Sequence, residues 1–140
     1  MKRGFALIEL LAVMLILLTV VLIAAPKIDD WLADADLDVA AQELAADIRL
    51  LQQMTVNSGG TIPIMKFNKT APYGYYTTLS PDGNKPSRTF PSTVKLGLQA
   101  DFSFGINGFP AAPRTITIVK ADNSASRSVI IDSVGRVRIQ

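Results

Sequence analysis

Few side chains in this sequence are equipped for chemistry, and two groups stand out by where they fall. Glu9 lies in GFALIELLAVMLILLTVVLIAAP, after Lys2 and Arg3 and just ahead of an unbroken apolar run. Gly135-Arg136-Val137-Arg138 closes the chain with two cations one residue apart. Neither is a catalytic constellation. Among 140 residues there is no histidine and no cysteine. This removes the commonest general base, the Ser-His and Cys-His pairs, the HExxH metal motif, thiolate nucleophiles and disulfides. The chain reads as a structural or binding protein and not an enzyme, with no cofactor and no metal site expected.

Glu9 is the more informative group. From Leu10 to Ala25 no residue is charged and only Thr19 is polar. Counted from Phe5, the run reaches about 20 residues, enough to span a bilayer. A carboxylate in such a segment costs roughly 2.5–3.5 kcal/mol on insertion scales, so it marks a function and implies a partner. No Lys or Arg occurs between Arg3 and Lys27, so no cation one or two turns further along the helix can serve. The natural partner is intermolecular. The basic N-terminus favours a cytoplasmic start with the C-terminal part sent across the membrane. A cleaved secretory signal has the same layout, but Ala24 and Ala25 run straight into Pro26 and Glu9 interrupts the apolar region. An ordinary signal anchor with a tolerated Glu is the other alternative.

The elements that must position these groups follow from hydrophobic period. After Pro26, which is expected to kink the helix, Ile28, Trp31, Leu32 and Ala35, then Leu37, Ala41, Leu44, Ile48, Leu51 and Thr55 recur at threes and fours with one shift of phase. One long helix therefore runs on to Asn57-Ser58-Gly59-Gly60, where glycines supply the cap. Asp29, Asp30, Asp34, Asp36 and Asp38 scatter around it and read as a solvated collar. Beyond Gly60, alternation predicts strands at 61–67, 73–79, 92–98, 102–104, 115–120, 127–132 and 136–139, with turns at Pro81-Asp82-Gly83-Asn84, Asn107-Gly108, Asp122-Asn123 and Gly135. The class is α+β: a long N-terminal helix, half membrane segment and half amphipathic, packed on a C-terminal antiparallel β head.

GFALIELLAVM resembles the type III signal of type IV pilins and type II secretion pseudopilins, commonly Gly-Phe-Thr-Leu-Ile-Glu-Leu, with Ala6 as the departure. The resemblance implies a pilin-like fold and a leader, 1–4, that a prepilin peptidase removes by cutting between Gly4 and Phe5, with N-methylation of Phe5. It implies a transmembrane polymerisation helix, 5–27, and a head, 28–140, whose helix ends at about 58 and whose β-rich part covers 61–140. Loss of Lys2 and Arg3 leaves 12 basic against 12 acidic side chains. Glu9 would then neutralise the Phe5 amine of the next subunit inside the filament. Partners implied are other pilin or pseudopilin subunits, the peptidase and an inner-membrane assembly platform. The location implied is the bacterial inner membrane, single-pass with the head outside the cytoplasm, and then the filament.

AAQELAADIRLLQQMTVNSGG and RSVIIDSVGRVRIQ are similar to segments of H-type minor pseudopilins and FimT-like minor pilins. The function implied is a minor subunit that initiates or caps a type II secretion pseudopilus or type IV pilus. FimT-like proteins include DNA-binding subunits of competence pili whose Gly-Arg-x-Arg meets phosphate, and Gly135, Arg136 and Arg138 fit that pattern. A DNA-uptake pilin is therefore the alternative, with Arg127 and Lys120 as further candidates if the last strands pair. The competing reading of these residues is a solvated strand face over a core-packed one, favoured by a net charge of only +2. In Tyr73-Gly74-Tyr75-Tyr76, alternation sends Tyr73 and Tyr75 to one face, as core or contact surface and not as a stacking platform.

Overall fold

The apolar stripe of the helix needs only one cover, and the β segments supply it. The computed structural model describes residues 3–60, 62–78, 87–97 and 99–140, with side chains from residue 7 onward except at 24–26. The expected turn at 81–84 and the strand ends at 61, 79 and 98 lie outside the described residues. Helix α1 is Arg3–Asn57. The chain divides into two compact units, Met1–Leu32 and Ala33–Gln140.

In the first unit every large apolar side chain from Leu7 to Ile23 is at least half exposed, as a lipid-facing or subunit-facing helix requires. Thr19 donates its hydroxyl to the Ile16 carbonyl at 2.7 Å, which satisfies the one polar side chain of the Leu10–Ala25 run. In the second unit the buried stripe begins at Ala33 and continues through Leu37, Ala40, Ala41, Leu44, Ala45, Ile48, Leu51 and Thr55. Ile28, Trp31 and Leu32 are exposed, so the shift of phase noted in sequence is the start of the core face. The helix stops where Gly59 (φ +62°) and Gly60 (φ +121°) take backbone angles that side chains disfavour.

The head holds two antiparallel sheets. Strands β1 (Met65–Asn68), β2 (Gly74–Thr77) and β3 (Ser87–Thr89) form one, in that order. Strands β4 (Val94–Leu96), β5 (Arg114–Lys120), β6 (Ser126–Ile131) and β7 (Val137–Ile139) form the other, again in chain order. Both close on the α1 stripe through Met65, Phe67, Tyr75, Ile116, Ile118, Val129 and Ile131. Each large side chain so buried contributes roughly 1.5–3 kcal/mol. An aromatic chain ties the first sheet to the following loop: Tyr75 meets Phe90 at 5.7 Å and Phe67 at 6.2 Å, and Phe102 meets Phe67 at 6.2 Å and Phe104 at 5.7 Å.

Two expectations change. The segment Phe102–Phe104 is not a strand; it makes single bridges, Met65 with Phe102 and Phe104 with Pro110. Strand β3 was not expected, because Ser-Arg-Thr carries no apolar residue and all three are exposed. It forms because β2 offers a free edge, with Gly74 opposite Thr89 and Tyr75 opposite Arg88.

Candidate functional site

Glu9 is exposed on α1 among Leu7, Ile8, Leu10 and Leu11, and no described basic side chain pairs with it. Gly4 and Phe5 lie in the first turns of the same helix, and Pro26 is also within α1. The result is a carboxylate with no basic partner among the described side chains, on an apolar helical surface of spanning length. Such a surface demands other helices or lipid around it.

The four basic candidates are not brought together. The register of the second sheet aligns Thr115, Ile130 and Arg138 on its outer face. Arg127 lies opposite Ile118, on the same face as the buried Val129 and Ile131, and points towards α1. There its Nε donates to Asp38 Oδ1 at 2.7 Å. Lys120 is buried on that inner face, with Nζ 3.1 Å from Asp34 Oδ1 and 4.0 Å from Asp122 Oδ2. Pairing of β6 with β7 therefore does not gather the cations, because alternation separates Arg127 from Arg138 through the thickness of the sheet. Arg136 is 74% exposed, with Nε 3.6 Å from Asp132 Oδ2. Ile139 shares the inner face with Val137 yet is 40% exposed, since β7 is the last strand of the sheet.

Gly135 has a conformational reason to be glycine. Its φ is +80°, and a Cβ there would stand 2.8 Å from the Gly108 carbonyl oxygen and 2.5 Å from Gln52 Nε2. Asp132 completes the turn by accepting from the Val134 and Arg136 amides at 3.1 and 2.8 Å.

The acids of α1 are more than a solvated collar: Asp29 and Asp30 are exposed, whereas Asp34, Asp36 and Asp38, though still partly exposed, have partners on the head. Asp34 and Asp38 hold Lys120 and Arg127, and Asp36 Oδ2 accepts from the Thr93 hydroxyl at 2.7 Å. Further along, Asp47 Oδ2 accepts from the Tyr75 hydroxyl at 2.8 Å and from Arg88 Nε at 2.7 Å, and Glu43 Oε1 lies 3.2 Å from Arg88 Nη1. Burial first, and then the bond to Asp47, push the Tyr75 phenol well above its ordinary range. At the Asp122 turn, the Ser124 hydroxyl and amide hold the carboxyl below its ordinary value. Among the described residues no group of three or more acids is placed to hold a metal ion. Sequence alone carried one hint of this docking, in the i, i+4 spacing of Asp34 with Asp38 and of Glu43 with Asp47; their basic partners lie on strands far along the chain.

A long N-terminal helix, apolar and exposed in its first half and packed in its second on antiparallel sheets, is a pilin-like arrangement. No family model matches the chain. It is 28% identical over 158 aligned positions to the pilin-like protein PilA1 of Thermus thermophilus, covering 99% of both. Its fold is similar to that of the type IV minor pilin FimU of Pseudomonas aeruginosa, with TM-score 0.61 and 20% identity over 76% of this chain and 90% of that one. It is similar also to the minor pseudopilin EpsH from the type 2 secretion system of Vibrio cholerae, with TM-score 0.55 and 15% identity over 75% of this chain and 96% of that one. The resemblance read from the signal motif and later segments is thus met by pilin and pseudopilin relatives.

Proposed function

We propose that the chain is a minor pilin or pseudopilin, a membrane-anchored structural subunit that initiates or caps a type IV pilus or type II secretion pseudopilus. The observation that carries this is Glu9, a carboxylate without a described partner on an exposed apolar helix that leads into a pilin-fold head. Residues 1–4 are a leader removed by prepilin peptidase, Phe5 becomes the methylated N-terminus, 5–27 anchor and polymerise, and 28–140 form the head outside the cytoplasm. In the filament Glu9 pairs with the Phe5 amine of the neighbour, a pairing whose loss leaves a charge unpaired among packed helices. The test is Glu9→Ala in cells that assemble the filament. Cleavage between Gly4 and Phe5 stays largely intact while incorporation falls sharply; normal incorporation of that variant removes the pairing.

A DNA-uptake pilin is the second reading. It is supported by the exposure of Arg136 and Arg138. Phosphate contacts through these two residues bind duplex DNA without sequence preference and weaken steeply with salt. A salt-titrated DNA-shift assay decides it: binding lost in the Arg136→Ala, Arg138→Ala double variant supports uptake. Absence of any shift at low salt leaves assembly as the role.

A further inference from the structure

Trp31 is the chain's only tryptophan, and it is left 71% exposed on α1. Ile28 and Leu32 are exposed at 60 and 52%. The three stand at i, i+3 and i+4, so they share one side of the helix as an apolar ridge. Lys27, Asp29 and Asp30 are interleaved with them in sequence and are exposed as well. Burial into the core begins only at Ala33. A ridge this apolar, flanked by this many charges, suits neither a packed interior nor bulk water. Close packing would desolvate the charges, and water would leave the indole and two aliphatic side chains uncovered. The headgroup layer of a bilayer accommodates both, since it offers apolar cover beside polar partners.

Position along the helix leads to the same layer. At about 1.5 Å per residue, α1 rises about 30 Å from Glu9 to Asp29, which is the thickness of a bilayer's hydrocarbon core. Leu10–Ile28 therefore fills that core when the two acids stand at its opposite boundaries. Within the span Thr19 is satisfied by the Ile16 carbonyl, and Lys27 is close enough to the boundary for its long stem to carry the ammonium out. Trp31 then falls about 3 Å beyond the boundary, among the headgroups. Other depths are worse. Sliding the helix one way draws Asp29 and Asp30 into hydrocarbon; sliding it the other way draws Glu9 in and lifts Ile28 into water.

We propose that, before it enters a filament, the chain rests in the membrane with the ridge of Ile28, Trp31 and Leu32 seated in one phospholipid headgroup layer and Glu9 at the opposite boundary. The inference rests on the reading of the chain as a membrane-anchored subunit. At that depth Glu9 waits among headgroups and water, and not at the bilayer centre, until a partner amine arrives.

The lone tryptophan is its own probe. The full chain is placed in phosphatidylcholine vesicles whose acyl chains carry bromine near the headgroup, at mid-chain or towards the end, because bromine quenches indole fluorescence on close approach. Two further full chains carry Trp31→Phe together with Leu18→Trp or with Ile8→Trp. Shallow bromine is expected to quench Trp31 most, deep bromine to quench the Leu18→Trp chain most, and shallow bromine again to quench the Ile8→Trp chain most. Strongest quenching by deep bromine at Trp31, or in the Ile8→Trp chain, overturns the depth. If no lipid quenches Trp31 at any dilution while deep bromine quenches the Leu18→Trp chain, water or a second copy of the chain covers the ridge; the headgroup seat is then wrong and the membrane anchor stands. If none of the three chains is quenched, the anchor reading itself fails and the seat with it.

Discussion

At the scale of single residues, Tyr75 and Gly135 show how a head with a small core is fixed. The Tyr75 hydroxyl gives its proton to a bond with Asp47, a carboxylate already engaged by Arg88. Tyr75→Phe removes that bond and is expected to cost about 1–2 kcal/mol, measured as a lower thermal midpoint of the full chain in detergent. The same group sets an alkaline limit. Its folded proton is held above the ordinary tyrosine value of 10.0, so unfolding releases a proton once the pH exceeds that value. Stability is therefore full below about pH 10 and declines above it, and Tyr75→Phe should flatten that decline. Gly135→Ala forces a side chain into the left-handed region, costing about 1–2 kcal/mol, and drives it onto the Gly108 carbonyl. A lowered midpoint together with faster amide exchange at Gly108 checks it. The Gly of Gly135-Arg136-Val137-Arg138 is thus explained by the turn, whatever the arginines bind.

At the scale of elements, β3 is the instructive case. It pairs along one edge of β2, and its side chains are exposed. What fastens it to α1 is Arg88, 44% exposed, reaching Glu43 and the more buried Asp47. Because the guanidinium is partly solvated, Arg88→Ala should cost only about 0.5–1 kcal/mol globally. Its effect should be local: faster hydrogen exchange across Ser87–Thr89 with β5 and β6 unchanged. Equal protection in β3 of the variant would show that backbone pairing alone holds it. The close approach of β2 to β3 is permitted by Gly74, where a Cβ would stand 2.1 Å from the Arg88 carbonyl oxygen.

At the scale of the whole molecule, the two units are suited to different surroundings. Leu7–Ile23 offers apolar side chains on all sides, whereas the head buries its apolar residues under two sheets. The chain should fractionate with membranes and remain there through an alkaline carbonate wash. Two lysines, Leu15→Lys with Leu18→Lys, should release most of it, since each costs roughly 2.5–3.5 kcal/mol at mid-membrane. Retention of the double variant would place the chain's anchorage elsewhere.

The features legible from sequence were those carried by local chemistry or by period. The apolar run, the lone Glu9, the glycine cap at 59–60, the α1 stripe from Leu37 and the strands β5 and β6 each follow from neighbours within a few positions. The tertiary structure decided what depends on distant partners. It set Asp34, Asp36 and Asp38, which the sequence presents as solvated acids, against Lys120, Thr93 and Arg127. It made a strand of Ser-Arg-Thr because β2 had an open edge, and it placed Arg127 and Arg138 on opposite faces of one sheet. The physical reason is common to these cases: hydrophobic period fixes which side of an element is buried, whereas the pairing of a charge or a strand edge is fixed by what the fold brings beside it.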